Sequence, residues 1–291
     1  MSVATRKSVI AVASGKGGTG KTTVAVNLAL TLRDAGHQVR LLDCDVEAPN
    51  AHIFMKPQIK ESKTVSVPVP IVDEKKCNAC GRCGEVCRFS AIVALGAKAM
   101  TFSSLCHGCG SCVLSCPEHA IREGEREVGT LEAGMSSGVE FAHGRLRVGE
   151  AMSPPLIRAV KKMDSDADVT IIDCPPGTSC PVVQSVRGSD YVALVTEPTP
   201  FGLYDLKLAV EMTREVGLPF GVIINRNGAG DRRAHDFCAE NDIPIIGTIP
   251  DDRRIAEAYS RGELIVAALP EYRGRFEQII EVVMERITVN L

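Results

Sequence analysis

Ala13-Ser14-Gly15-Lys16-Gly17-Gly18-Thr19-Gly20-Lys21-Thr22-Thr23 is the stretch that decides how this chain folds. An apolar run, Ser8-Val9-Ile10-Ala11-Val12, precedes it and an amphipathic one, Val24 to Leu32, follows. The expected order is therefore strand, glycine-rich turn, helix start. Gly15, Gly17, Gly18 and Gly20 let the backbone curl until several amide N–H groups point at one anion. The positive end of the following helix adds to that field. The spacing from Gly15 to Thr22 is G-x-x-x-x-G-K-T, so residues 15–23, Thr19 and Thr23 included, are expected to cradle a nucleotide's phosphates. In that cradle Lys21 can reach the β- and γ-phosphates and Thr22 can place a hydroxyl on Mg²⁺.

Outward from this loop, a helix of about Lys21 to Ala35 ends at Gly36, and residues 37–45 read as a second strand ending in Asp43-Cys44-Asp45. Strand, helix and strand at this spacing make a right-handed βαβ unit with a parallel sheet. Its carboxylates fall on the side where ligands collect in open α/β sheets, although either could instead cap a helix or tie a loop. Asp168–Asp173 is another buried strand ending in a carboxylate, followed by Cys174-Pro175-Pro176-Gly177. Strand and helix then alternate: Tyr191–Thr196, a helix of about 202–216, Phe220–Asn225, a helix of about 232–241, Ile243–Ile249, and a helix after Pro250. The last helix, about 272–286, carries Phe276, Ile279, Ile280, Val283 and Ile287 on one face and Glu277, Glu281 and Glu285 on the other, which suits core packing and not a membrane surface.

Between these parts the character changes. Residues 56–73 are rich in Lys, Pro and Val with no helical period, as a connector with an extended segment would be. Then come Cys77, Cys80, Cys83 and Cys87, and the same spacing recurs at Cys106, Cys109, Cys112 and Cys116, each cysteine 29 residues after its counterpart. Ile92 and Ile121 keep the same offset, so the segment is an internal duplication. Arg88 stands where the second run has Pro117, and His107 beside Cys106 reads as a surface residue. Thiolates at this spacing suit iron–sulfur chemistry, though eight cysteines can also build two tetrahedral zinc sites. The pattern resembles the bacterial two-cluster ferredoxin, in which the fourth cysteine serves the other cluster. That resemblance implies two [4Fe–4S] clusters, one held by Cys77, Cys80, Cys83 and Cys116, the other by Cys87, Cys106, Cys109 and Cys112. Residues 129–148 alternate loosely around turns at 136–138 and 143–144, as short strands would, and Pro154-Pro155 opens a helix to about Lys162.

At 291 residues, 45% hydrophobic and 24% charged, the chain has the composition of a globular protein with one large domain, or a medium and a small one. A net charge of −3 gives no argument for nucleic acid or an acidic membrane as partner. No apolar run is long enough to span a membrane, and the N-terminus leads into the first strand without room for a signal peptide, so a cytoplasmic location is expected. Of the twelve cysteines, eight fall between Cys77 and Cys116. Cys44 and Cys174 read as core, as does Cys180, with a dimer interface as its alternative.

Lys16 makes the loop G-K-G-G-x-G-K-T, and on this motif the chain resembles the MinD/ParA group of P-loop ATPases, to which the nitrogenase iron protein is also similar. The resemblance covers nearly the whole chain and is closest to members carrying an inserted ferredoxin domain. It implies a doubly wound, mostly parallel P-loop NTPase α/β sheet formed by residues 1–56 and 128–291, with residues 57–127 as a small α+β ferredoxin-like insert. It further implies an ATP-dependent homodimer in which Lys16 reaches the partner's nucleotide, Asp45 orients the attacking water, and Thr22, Asp45 and Asp173 serve Mg²⁺. Asn225 would read the adenine edge, with Arg226, Pro250 and Asp251 beside the base. Electron transfer or metallocluster assembly with a redox or cluster-acceptor protein is the implied role. Related iron–sulfur carriers bridge a cluster with a C-x-x-C outside any insert, a pair this chain lacks. The rivals are a positioning ATPase with structural clusters and a plain electron-carrier ferredoxin.

Overall fold

A computed structural model describes residues 7–289; residues 1–6 and 290–291 lie outside it, and with them the N-terminal lead-in on which the expectation of no signal peptide rests. In chain order the first elements are β1 (Ser8–Ala13), α1 (Lys21–Asp34), β2 (Val39–Asp43), α2 (Ala51–Met55) and β3 (Gln58–Val72). Next come α3 (Arg82–Val86), β4 (Ile92–Leu95), β5 (Lys98–Thr101), α4 (Ser111–Leu114), β6 (Ile121–Ser136) and β7 (Val139–Leu146). The chain continues through α5 (Pro154–Lys161), β8 (Val169–Asp173), α6 (Cys180–Val186), β9 (Tyr191–Thr196), α7 (Pro200–Val216) and β10 (Phe220–Asn227). It closes with α8 (Arg233–Glu240), β11 (Ile245–Pro250), α9 (Arg253–Ser260), α10 (Ile265–Ala268) and α11 (Arg273–Val289).

The chain divides into two compact units. Among the described residues the first comprises residues 7–62, 131–145 and 157–289, and the second Lys63–Thr130 and Leu146–Leu156. Among the described residues the main sheet has nine strands in the order β11-β10-β9-β1-β8-β2-β7-β6-β3. From β11 to β7 every neighbouring pair is parallel. Residues 56–73, expected to be a connector with an extended segment, are almost entirely the long strand β3. Ser137 and Gly138, at φ of 47° and 79°, form the expected turn between β6 and β7. The second expected turn, at His143-Gly144, is corrected: β7 runs through it, with His143 paired in register with Asp43 and its ring bonded to Glu132 at 2.8 Å. Those bonds hold the backbone extended where composition alone suggested a break.

α1 also departs from expectation. Val24 to Leu32 was read as amphipathic, yet every residue in that run is buried. The cause is a second cover: Phe276, Ile279, Val283 and Ile287 of α11 join the same apolar cluster, with Ile280 packed against it. The two polar residues caught inside are satisfied, because Thr31 donates to the Asn27 carbonyl at 2.8 Å and Asn27 accepts from the Val266 N–H at 3.0 Å. Among the described residues no helix is long and apolar enough to cross a membrane.

In the second unit the duplication extends to the backbone. Ala79 and Gly108, Gly81 and Gly110, and Ser90 and His119 are pairs 29 residues apart, and all six have positive φ. The helices α3 and α4 start at equivalent positions, and β4 pairs antiparallel with β5. Cys83, Ile92, Ala99, Cys112 and Ile121 form this unit's own small core.

Candidate functional site

The parallel register aligns three strand ends. Val12 of β1 and Asp43 of β2 both stand opposite Asp173 of β8, so the glycine-rich loop and two buried carboxylates leave the sheet side by side. This is the switch point of the sheet, where chain connections diverge and open α/β folds bind ligands. The two aspartates differ in role. Asp43 ties down the segment behind it: one oxygen accepts the Asp45 N–H at 3.1 Å and the other the Asn50 and Ala51 N–H groups at 3.0 Å. Asp173 is equally buried, yet among the described residues neither of its oxygens finds a hydrogen-bond partner of normal geometry. Burial pushes its carboxyl up to about 7, with the Thr22 hydroxyl and the Lys21 ammonium opposing that rise and Asp45 adding to it. An orphaned, buried carboxylate beside a threonine hydroxyl is a donor set that fits Mg²⁺, which would displace the proton and settle the charge. Burial raises the Asp45 carboxyl too, again against Lys21.

An open cleft of about 330 Å³ lies over these ends. Gly17, Gly18, Gly20, Lys21, Thr22 and Thr23 line one wall, Asp45 another, and Asn225, Arg226, Pro250 and Asp251 a third. Gly15, Lys16 and Thr19 of the expected set are not on its lining. Gly15 instead packs against α7, where a Cβ would meet the Asp205 carbonyl at 2.0 Å, and Thr19 is buried. Gly20 sits at φ 93° under Asn225, whose side-chain amide donates to the Thr19 carbonyl at 2.8 Å. Asn225 thus braces the loop as well as facing the cleft. Lys16 bonds within its own chain to Glu197, which also pairs with Arg226 at 3.4 Å.

Asn50, Pro176, Asp252, Ile255, Ala256 and Tyr259 complete the lining. Asn50 and Asp252 lie at the ends of the segments that carry Asp45 and Asp251, whereas Tyr259 carries no motif and is placed by its ring contact with Phe54 at 4.9 Å. Asp252 caps α9 through the Arg254 N–H at 2.8 Å and accepts the Tyr272 hydroxyl at 2.6 Å. Cys44 and Cys174 are fully buried as expected, whereas the core reading of Cys180 is corrected, since it is exposed at the first turn of α6.

The second unit holds two cavities. One, a small space of about 20 Å³, is lined by Cys87, Cys106, Cys109 and Cys112. The other, also of about 20 Å³, is lined by Cys77, Cys80, Cys83 and Cys116. Each takes three cysteines from one run and the fourth from the other. The fourth cysteines are held alike: Cys87 Sγ accepts the Ala91 N–H and Cys116 Sγ the Ala120 N–H, both at 3.3 Å. His107 is exposed and stacks on Phe89 with ring centroids 3.6 Å apart.

Residues 10–265 match the family described as the CobQ/CobB/MinD/ParA nucleotide binding domain. The chain belongs to this family and is a MinD/ParA-family P-loop ATPase. An uncharacterized protein of Methanocaldococcus jannaschii is 33% identical over 245 residues, 83% of this chain and 86% of the relative. The iron-sulfur cluster carrier protein of Aquifex aeolicus is 28% identical over 286 residues, covering 91% of this chain and 63% of the relative. Among solved structures the fold is similar to the septum site-determining protein MinD complexed with Mg-ADP from Pyrococcus horikoshii, with a TM-score of 0.59 at 23% identity, covering 95% of this chain and 96% of that one.

Proposed function

We propose that this ATPase couples its nucleotide state to two [4Fe–4S] clusters held in an inserted ferredoxin-like segment, residues 57–127. The two four-cysteine cavities carry the reading. Their crossed composition agrees with the two-cluster ferredoxin pattern. When bound, each cluster supplies a one-electron redox centre. The N–H groups of Ala91 and Ala120 point at the sulfurs of Cys87 and Cys116 and would hold each in place as a ligand.

On the nucleotide side, Lys21 and the amides of the loop hold the phosphates of ATP or ADP, while Thr22, Asp45 and Asp173 hold Mg²⁺ and its waters. Asp45 orients the water that attacks the γ-phosphate, and Asn225, Arg226, Pro250 and Asp251 border the base. Two chains close over ATP as a homodimer, for which Lys16 exchanges Glu197 for the partner's phosphate charge. The chain passes from Asp45 through α2 directly into β3 and on to the cysteine runs, so a change at Asp45 is transmitted along continuous backbone. Electron delivery to a protein partner and cluster assembly share this machinery; the cluster carriers among the relatives favour assembly. A reducing cytoplasm keeps the thiols available as ligands.

Anaerobically prepared protein is expected to contain about eight irons and eight acid-labile sulfides per chain, two four-iron cubes. Stoichiometric zinc without sulfide overturns the reading.

A further inference from the structure

The two cysteine cavities are not electrostatically equivalent. Arg126 of β6 forms an ion pair with Glu150, and both side chains are almost completely buried, at 9% and 1% exposure. Arg126 Nη2 also donates to the carbonyl of Cys106 at 3.4 Å. Glu150 is fixed from behind, its second oxygen accepting the Met152 N–H at 2.9 Å. The pair therefore presents its positive end to a ligand of one cavity, in surroundings that screen charge poorly.

The duplication supplies an internal control. At the 29-residue offset that relates Cys106 to Cys77, the position of Arg126 is occupied by Ala97. At the first cavity Asn78 donates to Glu118 at 3.0 Å, and the nearby lysines, Lys76 and Lys98, are exposed and paired with Asp73 and Glu74. Glu123 at the second cavity is exposed as well. Exposed charges are weakened by water and salt, so the buried guanidinium is the charge that differs in kind. Arginine remains charged even when buried, and its fork satisfies a carboxylate and a carbonyl together.

We propose that Arg126, held by Glu150, raises the reduction potential of the cluster bound by Cys87, Cys106, Cys109 and Cys112 above that of the cluster bound by Cys77, Cys80, Cys83 and Cys116. This rests on the two-cluster reading. Reducing an iron–sulfur centre adds one negative charge and no proton, and a fixed cation nearby stabilises the added charge. The first electron delivered by dithionite accordingly goes to the Cys106 site, making it the electron reservoir of the pair.

The test is a redox titration of the fully loaded protein, followed by electron paramagnetic resonance. The signals are assigned with Cys77→Ser, which lacks the first cluster. Two separate midpoints are expected, the higher at the Cys106 site. Arg126→Gln lowers that midpoint alone, and Glu150→Gln, which leaves the cation unneutralised, raises it. A merely structural role does not produce opposite signs. If either single variant fails to fold, the pair replaced together, Arg126→Met with Glu150→Leu, fills the same space and is expected to lower the midpoint. Full iron content with one common midpoint, or with midpoints unmoved in the variants, overturns the inference alone. Protein that takes up no iron and sulfide overturns the two-cluster reading and the inference with it.

Discussion

Lys21→Ala is expected to weaken ATP binding by roughly 100-fold, the loss of about 3 kcal/mol when a charge-assisted contact to phosphate is removed from a sheltered site. Lys21 opens α1, is 6% exposed and lines the cleft. It is also the cation that opposes the burial-driven rise of Asp45 and Asp173. Removing it takes the counter-charge from the nucleotide and from both carboxylates at once. Titration with a fluorescent nucleotide measures the loss, and circular dichroism shows whether the fold survives. Asp45→Asn separates the two roles, because it leaves Lys21 and the loop amides in place while replacing the carboxylate proposed to orient water. It is expected to bind ATP nearly as the wild type does and to hydrolyse it at least 10-fold more slowly. Wild-type turnover in Asp45→Asn would remove Asp45 from the catalytic set.

The crossed cysteine sets make the other large prediction. Cys116→Ser is expected to lose about four irons, and the signal lost is the one lost in Cys77→Ser, although Cys116 lies in the second run. Cys87→Ser is expected to match Cys106→Ser in the same way. The expectation rests on the linings, since Cys116 lines the space bounded by Cys77, Cys80 and Cys83, and Cys87 the space bounded by Cys106, Cys109 and Cys112. If Cys116→Ser instead removes the signal lost in Cys106→Ser, each run binds its own metal and the crossing is wrong.

What was legible in the sequence was whatever short-range backbone geometry dictates. The loop from Gly15 to Thr23 needs its glycines and its lysine within a few residues of one another, so spacing alone reveals it. The cysteine runs work likewise, and their 29-residue repeat reappears as paired positive φ angles at Ala79 and Gly108 and at Ser90 and His119. Residues that reach the site only through tertiary packing left no such trace. Tyr259 arrives on α9 with Phe54 against its ring, and Glu197 meets Lys16 from 181 residues away. The same holds for Arg126 and Glu150, an ion pair that no motif announces. His143-Gly144 shows the opposite failure: a dipeptide with turn composition is held straight by its pairing with β2 and by Glu132. The buried run of α1 was misread for a related reason, because periodicity sees one covered face and α11 supplies the other.

The central claim is that nucleotide at the Gly15–Thr23 loop is felt by metal centres held far along the chain. Redox titration of the loaded, anaerobic protein with and without a non-hydrolysable ATP analogue tests it most directly, with Lys21→Ala, at an analogue concentration that fills the wild-type site but not its weakened one, as the control. The account predicts that the analogue shifts at least one cluster midpoint in the wild type and none in Lys21→Ala. Identical midpoints with and without bound analogue, in wild-type protein that holds its full iron and sulfide, would contradict it.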